Sequence, residues 1–262
     1  MRLEVLSRRP DRPADKPPLL FIHGAYVGAW CWEEFFLGWF AARGYEVHAV
    51  SLRGHGASEG REGLDAFGLA DYAEDVAGVM GRLDSPPVVV GHSMGALVAQ
   101  KALERGAVAR AQVLACPVPS FGLLPSSFAL AWTRPSLFAS LHAVAGGGRA
   151  SPEALAEVLF ATPPDAALAS RCYRRMQRES KRALMDMAGW GLPAVWGTRR
   201  PRTLVLGASR DALIPAMQVR ATAGMLSAEY RELEGLGHAV MLDAGWEAAA
   251  LAIAGWIEEK AA

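Results

Sequence analysis

Val88-Val89-Val90-Gly91-His92-Ser93-Met94-Gly95-Ala96-Leu97-Val98-Ala99 joins a short apolar run, a serine flanked at two residues by glycines, and a second apolar stretch that continues to Glu104. The segment reads as strand, one-residue apex, helix. A side chain at such an apex is thrown out of the turn and left accessible. The backbone there adopts a strained, positive-φ conformation, and a Cβ two residues before or after Ser93 would collide with the neighbouring strand or helix. Gly91 and Gly95 remove those clashes. Because the helix starts just past the serine, its free N–H groups face any oxygen that develops negative charge there. Ser93 is therefore a candidate nucleophile.

Outward from this turn, strands and helices alternate. A possible edge strand at residues 2–7 is followed by a proline- and charge-rich loop, and Leu19-Leu20-Phe21-Ile22 is a fully apolar run that ends in His23-Gly24. Helices are expected at about 32–42, 70–83, 215–225 and 246–258, and strands at 46–50, 112–115, 203–206 and 230–233. This pattern predicts an α/β fold with a mostly parallel sheet, helices on both faces, and functional groups beyond the carboxyl ends of the strands. Residues 117–201 interrupt the alternation and are too many for a structureless loop. Ser151-Pro152-Glu153 and Thr162-Pro163-Pro164-Asp165 resemble helix starts, the second with an acid at the third helical position. The segment also carries Phe121, Phe128, Trp132, Phe138, Phe160, Trp190 and Trp196. A helical cap at 117–201, inserted between two late strands of a core made of 1–116 and 202–262, is the expected organisation.

With 262 residues, 52% of them hydrophobic, the chain can bury a large core. Its 27 basic and 27 acidic residues balance, so no nucleic-acid surface is expected. Cys31, Cys116 and Cys172 are widely spaced and read as packing residues. The N-terminal residues contain no apolar leader and no uncharged run approaches a membrane span, so the reading is a soluble, cytoplasmic protein without an integral membrane segment. There is no metal-binding spacing and no phosphate-binding glycine loop, and neither a metal nor a cofactor is expected.

A serine nucleophile needs a base, and the base needs an acid to orient it. Of six histidines, His238 in Gly237-His238-Ala239 follows the last expected strand and is the best placed; His92 adjoins the nucleophile and points away from its side. Asp211 follows the strand ending at Leu206. An acid after the preceding strand is ruled out because no Asp or Glu lies between Glu104 and Glu153; Asp186 and Asp243 are weaker candidates. The amides of Met94 and Ala25 are placed to form an oxyanion hole. Tyr26, His92 and Trp132 are candidates for substrate contact.

His23-Gly24, Arg53-Gly54-His55-Gly56-Ala57-Ser58, Gly91-His92-Ser93-Met94-Gly95, Arg210-Asp211 and Gly237-His238, in this order, resemble the α/β-hydrolase superfamily over essentially the whole chain, in particular its lysophospholipase-like serine esterases. Many such proteins carry Asp where this chain has Ser51. The resemblance implies hydrolysis of a carboxylic ester of a small or medium apolar molecule by Ser93, Asp211 and His238 through an acyl-enzyme. A C–C bond hydrolase with the same triad, or a binding protein on the same fold, are the alternatives. The residues do not determine the oligomeric state. Arg171, Arg174, Arg175, Arg178 and Arg182 are expected to share one face of a cap helix, solvated or facing an anion.

Overall fold

Leu19, Leu20, Phe21 and Ile22 leave no polar side chain to face water, so a strand made of them needs cover on both sides. The computed structural model describes residues 1–12, 14–133, 135, 138–139, 152–162, 164–195 and 200–261. Its strands are β1 (Val5–Arg8), β2 (Leu19–Ile22), β3 (Val47–Val50), β4 (Val88–His92), β5 (Ala111–Ala115), β6 (Arg202–Ala208) and β7 (Glu229–Leu233). They form one seven-stranded sheet in the order β1-β3-β2-β4-β5-β6-β7. Only β1 runs antiparallel to its neighbour; the other pairings are parallel. Phe21 lies opposite Val90 and Ile22 opposite Gly91, so the ends of β2 and β4 open side by side.

Alternate residues of each strand feed two cores. Leu19, Phe21, Val88 and Val90 pack under α1 (Trp30–Glu33), α2 (Phe36–Ala41) and α10 (Trp246–Lys260), while Leu20, Ile22 and Val89 pack under α3 (Leu69–Met80), α4 (Met94–Glu104) and α9 (Ala216–Met225). The single helix expected at 32–42 is broken at Phe35, which leaves helical geometry at φ −131°. The break lets Trp32 and Phe36 both reach the ring of Phe21, at 4.9 and 6.0 Å.

Ser51, where the family resemblance has Asp, works through a neighbour. Its hydroxyl donates to the Glu4 carboxylate at 2.6 Å and accepts from the Ala29 N–H at 2.9 Å. Arg53 is likewise a bracing residue: its Nε and backbone N–H both donate to Asp75 of α3, at 2.9 and 2.8 Å.

Between β5 and β6 the chain forms α5 (Leu124–Thr133), α6 (Pro152–Leu159), α7 (Ala166–Arg175) and α8 (Lys181–Met185). Ser151, Pro163 and Trp196 lie outside the described residues. Asp165 does not sit inside a helix as its sequence context suggests; it caps α7, accepting from the Ala167 and Leu168 N–H groups at 3.0 Å each. The arginines do not share one helix face either, because α7 ends at Arg175. Instead Arg171 meets Glu34, Arg175 meets Glu33 at 3.9 Å and Arg178 meets Asp65 at 2.8 Å, so these charges clip the inserted segment to acids on the body of the fold. Among the described residues no helix is long and apolar enough to cross a membrane.

A stronger clip is buried. Glu179 has no solvent-exposed side chain; its carboxylate meets His55 Nε2 at 3.0 Å and accepts from the Tyr72 hydroxyl at 2.9 Å and the Ser180 N–H at 2.7 Å. Burial opposes the His55 cation, but the Glu179 charge and hydrogen bond outweigh it and raise the imidazole above its ordinary value. Burial likewise opposes the Glu179 anion, and His55 outweighs it and lowers the carboxyl. The raised His55 contributes stability that is complete below its ordinary 6.5 and is lost as pH rises through its folded value. The lowered Glu179 contributes stability present above its ordinary 4.5 and lost as pH falls through its folded value. Glu179→Gln, which strands a buried partner, should therefore cost most between pH 4.5 and 6.5. A loss of about 3 kcal/mol is expected there, with the gap to the parent narrowing on both sides in denaturant melts taken across pH.

Candidate active site

Ser93 follows β4 directly and stands at φ 51°, ψ −116°, outside the comfortable regions for an L residue. Crowding explains both glycines around it. A Cβ on Gly91 would lie 2.4 Å from the Gly95 carbonyl oxygen, and one on Gly95 would lie 2.5 Å from the carbonyl oxygens of both Ile22 and His23. The turn is thus wedged between its own helix and the end of β2. The Ser93 N–H donates to the Ala115 carbonyl at 3.0 Å, which ties the apex to β5 as well.

His238 lies in the loop between β7 and α10. Its Nδ1–H donates to an Asp211 carboxylate oxygen at 2.7 Å. The other oxygen of Asp211, in the loop after β6, accepts from the N–H groups of Leu213 and Ile214 at 2.8 and 2.9 Å, so the carboxylate cannot rotate away. With Nδ1 donating, the free nitrogen of His238 is the acceptor Nε2. Ser93 and His238 line one cavity. The alternatives do other work: Asp186 accepts from the Leu69 N–H at the start of α3 at 2.9 Å, and Asp243 accepts from the N–H groups of Gly237 and Ala161, at 3.1 and 2.8 Å. Asp243 thereby locks the His238 loop against the inserted segment.

His23 and His92 hold backbone in place. His23 Nε2 accepts from the Leu52 N–H at 3.1 Å, which leaves Nδ1 as the donor to the Gly24 carbonyl at 2.7 Å. That carbonyl and the Ala25 N–H belong to one peptide plane, so fixing the oxygen fixes the direction of the amide. Burial, and then the neighbouring His55, lower His23 to about 3, and burial followed by His238 does the same to His92. Both rings therefore stay neutral. His92 lines the cavity, and its Nε2–H donates to the His238 carbonyl at 2.9 Å. Among the described residues no acceptor takes the amide hydrogens of Ala25 and Met94.

The cavity lies between the body and the inserted segment and has a volume of about 650 Å³. Ala25, Tyr26 and His92 are on its wall, as are Leu130 and Leu159 of the inserted segment. Its described lining includes no Lys or Arg and one carboxylate, Glu153. Trp132, expected to contact substrate, is not on the cavity wall: it is 90% exposed, on the side of α5 turned away from Leu130. Two residues that the sequence does not mark as functional lie next to these groups. Cys116, at φ 44°, is buried beside Asp211, and Glu179 accepts from the Tyr26 N–H at 3.3 Å.

Residues 19–251 match the family described as the alpha/beta hydrolase family. The chain belongs to that family. Among proteins similar in sequence are a pyrethroid hydrolase of Sphingobium wenxiniae, 32% identical over 77 residues (29% of this chain and 27% of that protein), and methylesterase 3 of Arabidopsis thaliana, 34% identical over 91 residues (34% of each). These matches thus span about a third or less of each relative's length. Among solved structures, an esterase from Thermogutta terrifontis superposes with a TM-score of 0.70 at 18% identity over 99% of this chain and 94% of that one. One from Exiguobacterium antarcticum gives 0.69 at 16% identity over 98% and 95%. At such identities the superpositions speak for the fold.

Since both sides of the Gly95 clash are backbone, Gly95→Ala should destabilise the protein by about 2 kcal/mol or more. A thermal melt unchanged from the parent's would mean that the elbow has slack.

Proposed function

We propose that this member of the family is a serine-dependent carboxylic-ester hydrolase acting on a small or medium apolar ester. The observation that carries the reading is the juxtaposition in one apolar cavity of Ser93, at a strained apex, with His238, whose Nδ1–H is held by Asp211 at 2.7 Å. Ser93 Oγ attacks the carbonyl carbon while His238 Nε2 takes its proton, and Asp211 stabilises the imidazolium that forms. The Ala25 and Met94 amides receive the tetrahedral oxyanion. The His23 hydrogen bond to the Gly24 carbonyl has already set the direction of the first, and position at the start of α4 leaves the second without an intrahelical acceptor. His238 then protonates the leaving alcohol, and water attacks the acyl-enzyme by the same route in reverse. The esterase names carried by the relatives agree with this reading.

In the same reading residues 117–201 act as a cap that shapes the substrate space, and the apolar wall formed by Leu130 and Leu159 selects for uncharged acyl groups. Trp132, outside the cavity, takes no part in that selection.

A fluorophosphonate should label Ser93 alone, and Ser93→Ala should lower kcat by about 10³-fold or more. Labelling of another serine in the mass spectrum, or activity surviving without Ser93, would sink the assignment. In a series of p-nitrophenyl esters, Leu130→Trp should shorten the preferred acyl chain and Trp132→Ala should leave it unchanged; the opposite pattern would place the acyl group elsewhere.

A further inference from the structure

β5 ends at Ala115, and the next residue, Cys116, is fully buried at φ 44°. Left-handed backbone costs free energy for any residue with a Cβ, and it persists where the surroundings over-determine it. Here the Cys116 N–H is drawn onto β6, donating to the Leu206 carbonyl at 2.8 Å. The result is that Cys116 Sγ, an Asp211 carboxylate oxygen and a His238 ring nitrogen all lie within 4.8 Å of one another. Burial, and then the charge of Asp211, push the thiol well above its ordinary range, so the group is S–H. Thiol and carboxylate are thus buried neighbours, and of the two only the thiol has a proton to offer.

We propose that Cys116 is a positioning residue for the catalytic acid: its thiol donates to Asp211, and it occupies a second strand end from which a carboxylate would reach His238. The inference rests on the triad of the preceding subsection. It explains why a strained non-glycine residue stands where the chain leaves β5, at the very place where an acid is missing between Glu104 and Glu153. A cysteine acting only as a small apolar filler would leave Asp211 and His238 indifferent to its replacement.

The groups that face His238 are Asp211, Cys116, the neutral His92 ring at 4.8 Å and Asp243, which holds the adjacent Gly237 N–H; Glu153 is on the cavity wall beyond them. A carboxylate relieved of one donor holds the imidazolium more tightly. With p-nitrophenyl butyrate as substrate, Cys116→Ala should therefore move the acidic limb of the kcat/KM profile to higher pH by about half a unit, and Cys116→Ser, which keeps a donor, should return it. Asp211→Asn should cost about 10³- to 10⁴-fold in kcat, and adding Cys116→Asp to it should recover tenfold or more. Coincident limbs for the Ala variant and the parent, or no recovery in a double variant with parental circular dichroism, would overturn the proposal while leaving the triad standing. If the double variant does not fold, the limbs alone decide. An Asp211→Asn variant with parental kcat would instead remove the triad reading, and this inference with it.

Discussion

The close approach of Gly95 to the end of β2 is the constraint on which the rest of the structure depends. With no Cβ in the way, the first turn of α4 rests against the carbonyls of Ile22 and His23, and the serine before it is forced into positive φ. The same approach brings the Gly24–Tyr26 loop beside the serine, so that a Cβ on Gly24 would stand 3.2 Å from that of Ser93 and 2.9 Å from His92 Nδ1. Ser93, the Ala25 and Met94 amides and the ring that pins the His238 loop are all placed by this one close contact. Packed interiors transmit such constraints because they have no free volume in which to lose them.

Around this backbone contact the protein sorts its histidines by environment. His23 and His92 are kept neutral by burial; His23 spends both ring nitrogens on backbone, and His92 spends Nε2 on the His238 carbonyl. His55, equally enclosed, is shifted the other way, its proton held more tightly because a carboxylate from the inserted segment is buried with it. That pairing joins residue 179 to residue 55 and, through the Tyr26 N–H, to the loop that carries Ala25. The segment over the cavity is consequently anchored where its position bears on the candidate oxyanion donors, while its exposed arginines add only weak clips elsewhere.

Much of this was legible along the chain because it is local. Apolar runs of four or five residues, glycine at two-residue spacing from Ser93, and an acid and a histidine just past strand ends are patterns confined to short windows. What escaped is non-local. Glu179 and His55 are separated by 124 positions, and nothing near either marks the other. Cys116 reads as a small apolar residue until β6 brings Asp211 beside it. Trp132, a candidate for substrate contact, lies off the cavity wall because the geometry of α5 turns Leu130 inward and Trp132 out. The arginine cluster misled because helical periodicity was carried past Arg175, where the helix stops.

The cavity wall bears on what happens after the chemistry. An ester is neutral, and a space lined almost entirely by hydrocarbon with no Lys or Arg among its described residues receives it without opposing charge. The acid released by hydrolysis ionises near neutral pH, and among those described residues it finds no Lys or Arg to replace its lost hydration. On the proposed reading the reaction turns a ligand that the enclosure holds into one that it rejects. Product departure is thereby driven by the same apolar surface that drew the substrate in, and accumulated acid is a poor competitor for the next turnover.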